Sequence, residues 1–192
     1  MPVWSIILIV VLVTIAILVI VFISTYNGLV KLDERVNEAW SDITVQLKRR
    51  ADLVPNLVEI VKGYAKHETE AIKAVSEARA KMMGARSVES SAEADKSLTG
   101  ALSRLMAVSE SYPELKANTN FQQLTAELAD TEDKVQAARR FYNAGAKELN
   151  TKIKMFPSNI INNMIGHFKK REYYDVDSEE KARIDKAPEV KF

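Results

Sequence analysis

The chain has 192 residues, 27 basic and 26 acidic side chains, a net charge of +1 and no cysteine; that is the size of one domain with at most an appendage. Near-neutral charge argues against a nucleic-acid partner, whose phosphates demand a basic surplus. Without thiols there is no cysteine nucleophile or cysteine-held metal, in keeping with a reducing compartment. The charges are unevenly placed, and none precedes Lys31.

Residues 3–23 are almost all Val, Ile and Leu, interrupted by Trp4, Ser5, Thr14, Ala16 and Phe22. At ~1.5 Å per residue a helix of this length just spans a hydrocarbon core of ~30 Å. Trp4 and Tyr26 stand at the two ends, where amphipathic rings settle at the membrane interfaces. A cleaved signal peptide fits less well, because no basic region precedes the run and no small-residue cleavage pattern follows it. The expectation is a single-pass anchor over residues 1–25. Lys31, Arg35, Lys48, Arg49 and Arg50 all follow it, so the positive-inside rule expects the N-terminus outside and the rest of the chain in the cytoplasm.

From about residue 30 to 83 the apolar positions recur at steps of three and four: Val36, Trp40, Ile43, Leu47, Arg50, Val54, Leu57, Val61, Tyr64, Glu68, Ala71, Val75, Ala78 and Met82. This pattern predicts one long bundle or coiled-coil helix over about 28–84. Pro55 does not shift its phase. That favours a kinked continuous helix over a fresh one capped by Asp52 with Pro55 in its first turn. A turn follows near Gly84, then a weakly apolar helix over about 88–110 with Leu98, Leu102 and Leu105 on one face. Tyr112-Pro113 ends it and a short piece leads on. Thr119 with Gln122 reads as a capping box opening a helix over about 119–156. Its face carries Phe121, Leu124, Leu128, Thr131, Val135, Ala138, Tyr142, Gly145 and Leu149. Pro157 closes it. A last amphipathic helix is expected over 158–168, and a charged, largely extended tail over 169–192.

The search for chemistry is mostly negative. His67-Glu68 opens a zinc-binding H-E-x-x-H pattern, but Ala71 stands where the second histidine belongs. His167 lies beside Gly166 near a helix end, a common place for a capping histidine. There is no glycine-rich phosphate loop, no G-x-S-x-G and no cofactor signature, so neither an enzyme nor a bound cofactor or metal is expected. Arg50 and Glu68 break the apolar series. They lie 18 residues apart, or ~27 Å along a helix, and cannot pair with each other. Each is therefore expected to find a partner on a neighbouring helix and set register, since a lone buried charge is costly. The competing reading is a protein-facing patch comprising Trp40, Asp42, Gln46, Arg49, Arg50, Asp52, Pro55, Asn56, Glu59, His67 and Glu68. The last helix, followed by Lys169, Lys170, Arg171, Glu172, Tyr173 and Tyr174, either closes the bundle or lies on an anionic membrane surface.

Tyr26-Asn27-Gly28-Leu29-Val30, Ala39-Trp40-Ser41-Asp42-Ile43, Gln46-Leu47-Lys48-Arg49-Arg50 and Asp52-Leu53-Val54-Pro55-Asn56-Leu57-Val58-Glu59 together resemble the LemA family. Val61-Lys62-Gly63-Tyr64-Ala65-Lys66-His67-Glu68, Tyr112-Pro113-Glu114-Leu115-Lys116-Ala117, Ala138-Arg139-Arg140, Phe141-Tyr142-Asn143 and the closing Pro188-Glu189-Val190-Lys191-Phe192 extend the resemblance over essentially the whole chain. It departs at Gly166-His167-Phe168 and Tyr173-Tyr174, where the pattern has Gly-Phe and Tyr-Phe pairs. The resemblance implies a bacterial or archaeal inner-membrane protein with an N-terminal anchor and a cytoplasmic helical bundle, in a family with no established biochemical activity.

The expected fold is all-α: a single transmembrane helix (1–25) continuous with an elongated antiparallel bundle of three to four helices (26–168). The expected role is a self-associating scaffold or partner-recruiting module at the cytoplasmic face. The alternative is a sensor or regulatory subunit of an envelope-stress or membrane-proteolysis system. Expected partners are the bilayer through residues 3–23, further copies of the chain and other membrane proteins.

Overall fold

Apolar residues at three- and four-residue steps bury one face of each helix, and the computed structural model shows what those faces meet. It describes residues 3–165 and 167–174. Six helices and no strand occur among them: α1 (Val3–Tyr64), α2 (Thr69–Gly84), α3 (Val88–Ser109), α4 (Pro113–Ala117), α5 (Thr119–Lys152) and α6 (Ser158–Ile165). The protein is all-α, with one long apolar N-terminal helix and bundle-like packing behind it. The calls for residues 175–192 lie outside the described residues.

α1 runs without interruption through Pro55, so no fresh helix begins at Asp52. Proline has no N–H for the carbonyl four residues back, which here belongs to the fully buried Ala51. Arg79 Nε on α2 donates to that oxygen at 2.9 Å. The bond that Pro55 cannot make is thus supplied from a neighbouring helix.

The single helix expected over 28–84 is in fact two. α1 ends at Tyr64, the chain reverses over residues 65–68, and α2 starts at Thr69. The reversal is held by Ala65 N–H to Val61 O at 2.8 Å and Glu68 N–H to Ala65 O at 3.1 Å. Gly63 weakens the last turn of α1. The periodicity could not show this, because both arms of a helical hairpin bury the same kind of face: Val75, Ala78 and Met82 of α2 are buried as the pattern requires. Two more boundaries move. The cap of α5 is Asn118, whose Oδ1 accepts from Phe121 N–H at 3.0 Å, in place of the Thr119–Gln122 box. α5 stops at Lys152 and α6 at Ile165, earlier than the expected 156 and 168. Beyond α6, Asn162 takes over the backbone of Phe168, donating to its carbonyl at 3.0 Å and accepting from its amide at 3.1 Å.

The described residues divide into two units, one from residues 3–38 and those between 144 and 171, the other from residues 39–143 and 172–174. In the first unit Leu29, Val36, Ala146, Leu149, Ile161 and Phe168 are buried. The Tyr26 and Phe168 rings meet at 5.9 Å. Gly145 lets Val36 close in, since a Cβ there would meet Val36 Cγ2 at 3.4 Å. Arg171 is fastened twice: its amide and carbonyl pair with the buried Asn150 side chain, both at 2.8 Å, and its guanidinium reaches Asp33 at 2.7 Å and Asn37 at 2.9 Å. In the second unit the core is Ile43, Leu57 and Val61 of α1, Val75 of α2, Leu98 and Leu105 of α3, Leu115 of α4 and Val135 of α5.

Candidate functional site

Within the second unit an ionic cluster interrupts the apolar core around Arg50. α1 points Arg50 inward at the place its period reserves for an apolar side chain, and only 4% of the residue is exposed. α3 brings Asp95 and Thr99, one turn apart, to face it: Arg50 Nη1 donates to Asp95 Oδ1 at 2.7 Å and to Thr99 Oγ1 at 3.0 Å. α5 brings Glu132, whose Oε2 stands 2.7 Å from the same nitrogen without the alignment of a hydrogen bond. Arg139, two turns further along α5, approaches the other Asp95 oxygen at 3.9 Å. Two cations and two anions therefore balance in a site where a lone charge would be strongly penalised.

Tyr174 closes the cluster. Only 1% of it is exposed; its ring lies under the Arg139 guanidinium at 5.0 Å and 6.3 Å from Trp40. Its hydroxyl donates toward Ser91 O at 3.3 Å or Asp95 Oδ2 at 3.4 Å. The backbone around it is clamped to α5. Asn143 accepts from Tyr174 N–H at 2.8 Å and donates to its carbonyl at 2.9 Å, and Tyr142 Oη donates to Glu172 O at 2.8 Å. Burial raises the Asp95 carboxyl above its ordinary range, against the lowering by Arg50 and with a further push from Glu132. Burial and the neighbouring Asp95 raise the Tyr174 phenol, which therefore stays protonated and able to donate.

The other residues singled out in the sequence scatter. Trp40 is half-buried and meets Tyr142 at 5.8 Å. Asp42, Arg49, Asp52, Pro55, Asn56 and Glu59 are exposed, Glu59 pairing with Lys62 at 2.9 Å. The surface patch thus excludes Arg50 itself. Gln46 is half-buried, and its Oε1 has no hydrogen-bond partner. His67 is exposed in the α1–α2 turn. Glu68 does not occupy a seam: it precedes α2 and accepts from Tyr112 Oη at 3.3 Å, a phenol and not a cation. Trp4 is exposed, Tyr26 packs on Phe168, Lys169 and Lys170 are exposed, and Arg171 is tied to Asp33.

Asp95, Thr99 and Glu132 were not among the candidates, and Tyr174 was named only within the segment expected to close the bundle or lie on a membrane surface, not as a partner of Arg50 or Asp95. Asp95 carried a usable signal, because it lies three residues before Leu98 on the face that Leu102 and Leu105 continue, an acid where α3 should be apolar. Tyr174 carried no signal for a place in this cluster, since no helical period reaches it. Among the described residues no three His, Cys, Asp or Glu side chains are grouped so as to hold a metal ion. The cluster is built to hold three helices and a returning segment together, with its charges already matched.

Among curated proteins, the magnetosome proteins MamQ 2 and MamQ 1 of Paramagnetospirillum magneticum are each 29% identical, over 81% of this chain and 68% of theirs. Protein LemA of Metamycoplasma hominis is 29% identical over 77% of this chain and 68% of its own length. The LemA family model matches residues 39–192, the stretch that contains Trp40, Arg50, Asp95, Glu132 and Tyr174, and the chain belongs to the LemA family.

Proposed function

We propose that this chain is a membrane-anchored, non-enzymatic scaffold or partner-recruiting module at the cytoplasmic face of the inner membrane. The observation that carries the reading is α1. Its apolar stretch has a mean hydropathy of 3.8 and none of it is buried against the rest of the protein, yet the same helix goes on to supply core residues from Leu29 to Val61. A surface of this kind fits a hydrocarbon solvent and no aqueous one. The basic flank at Lys31 and Arg35 supports the cytoplasmic side. The magnetosome relatives support an organising role at a membrane, and the charge-matched cluster supports a structural one. The regulatory reading, in which a change passes through Pro55, has less support, because Arg79 holds the carbonyl that Pro55 leaves open.

The test is lysine-directed crosslinking of the full chain in its own membranes after alkaline carbonate washing. The expected result is retention in the pellet and discrete adducts with further copies or with defined neighbours. Release by carbonate sinks the anchor, and a retained chain that stays monomeric and neighbourless sinks the scaffold.

A further inference from the structure

The first unit exposes a second apolar surface besides the candidate span. Beyond residue 23 the exposed large hydrophobic residues of α1–α4 and most of α5 are scattered singly: Val45, Tyr64, Met83 and Phe141. Between residues 155 and 165 they crowd together. Met155 is 52% exposed, Phe156 78%, Ile160 50%, Met164 74% and Ile165 38%. Single exposed apolar residues need no account, but a contiguous group marks a surface that meets something. α6 does use one face inward, burying Ser158 and Ile161. Ile160 and Met164, four residues apart and so stacked on one stripe, are left facing out.

The position of this stripe is fixed by the Tyr26–Phe168 contact at 5.9 Å. Tyr26 follows the last residue of the apolar run, Ile23, by three residues, or ~4.5 Å of helix axis. Phe168 follows the end of α6 by the same number of residues. The exposed stripe therefore lies beside the point where α1 leaves its apolar stretch, and the two apolar surfaces adjoin within one unit.

The charge along this segment of sequence has one sign. From Leu149 to Arg171 the sequence contains no Asp or Glu, but it does contain Lys152, Lys154, Lys169, Lys170 and Arg171. Arg171 pairs with Asp33, and Lys152, Lys154, Lys169 and Lys170 are exposed, two before α6 and two after it. Apolar side chains flanked by lysines, next to a span, match the boundary between acyl chains and anionic headgroups.

Resting on the anchor reading above, we propose that residues 155–165 form an interfacial foot: α6 lies on the same leaflet that α1 leaves, with Phe156, Ile160 and Met164 in the acyl boundary and the lysines among anionic headgroups. The occupant of the exposed stripe is lipid. Burial of such a face reaches ~5–10 Å into the headgroup and acyl boundary, and Phe168 on Tyr26 sets that depth relative to the span.

The absence of native cysteine makes the test direct. Single nitroxide labels are placed at Val13→Cys, Ile160→Cys and Met164→Cys of the full chain, in vesicles of phosphatidylcholine with anionic phosphatidylglycerol. Collisions with oxygen, which partitions into lipid, are compared with those of a water-soluble nickel chelate. Both α6 positions should favour oxygen over the chelate several-fold, at a shallower depth than Val13, and the preference should weaken in vesicles of phosphatidylcholine alone. A Val13 label in lipid with α6 labels open to the chelate overturns the foot and leaves the anchor standing. Labels on α6 shielded from both reagents, with spin–spin broadening that grows with protein content, overturn it in favour of a second copy. A Val13 label open to the chelate overturns the anchor reading and the foot with it.

Discussion

Arg50 is the residue whose removal the fold should feel most. Its guanidinium touches both Asp95 and Glu132 at 2.7 Å, so Arg50→Ala takes the nearest cation from the buried Asp95 and from the half-buried Glu132. Breaking a buried pair in this way costs about 3–5 kcal/mol. Glu68→Ala loses a single long hydrogen bond from Tyr112, worth about 0.5 kcal/mol. Thermal unfolding of the full chain in detergent should show a large fall for the first and a shift near the error for the second. Equal shifts would contradict the different roles assigned to these residues. Asp95 makes a pH prediction. Its carboxyl is raised above the ordinary 3.8, chiefly by burial, so the folded state holds a proton there more readily than the unfolded chain. Its stabilising share is full below the unfolded value and is lost as pH rises through the folded one. Asp95→Asn should therefore steepen the increase of stability with pH across the mildly acidic range. Melting temperatures of both proteins measured through that range check this, and a flatter slope in the variant would refute it.

Elements show where pattern reading succeeds and where it stops. The inward faces of α1, α3 and α5 were legible because burial repeats with the helical turn, and Leu47, Leu102 and Leu128 are buried as their spacing requires. The reversal at residues 65–68 was not legible, because the steps of three and four continue across it. Nor was the partnership between Pro55 and Arg79, which joins two elements through a backbone atom that carries no sequence signature. That partnership predicts a coupling. Arg79→Ala alone leaves the buried Ala51 carbonyl bare and should cost about 1–3 kcal/mol. In a Pro55→Ala background residue 55 regains an N–H for that carbonyl, and the cost of Arg79→Ala should fall by about 1 kcal/mol or more. A double-mutant cycle on unfolding free energy measures it; additive effects would mean that the two residues do not share the carbonyl.

At the scale of the whole molecule, composition separates an apolar stretch from a charged bundle, and that division was readable from residue 31 onward. The assembly of the ionic cluster was not, because its members come from positions 50, 95, 132 and 174, and a local period cannot relate side chains so distant in sequence. Such separations also impose an order in time. A chain made from its N-terminus at ~5–20 residues per second adds Glu132, the last of the three charged members, some ~2–8 s before Tyr174. Until Tyr174 is in place, the side of Asp95 that it covers stays wet. Released chains that end at Arg171 should therefore leave a cysteine at position 91 (Ser91→Cys) reactive toward a water-soluble thiol reagent. Chains that include Tyr174 should protect it, as the burial of Ser91 requires. Tyr174 thus seals its part of the interior only after synthesis has passed every residue it covers.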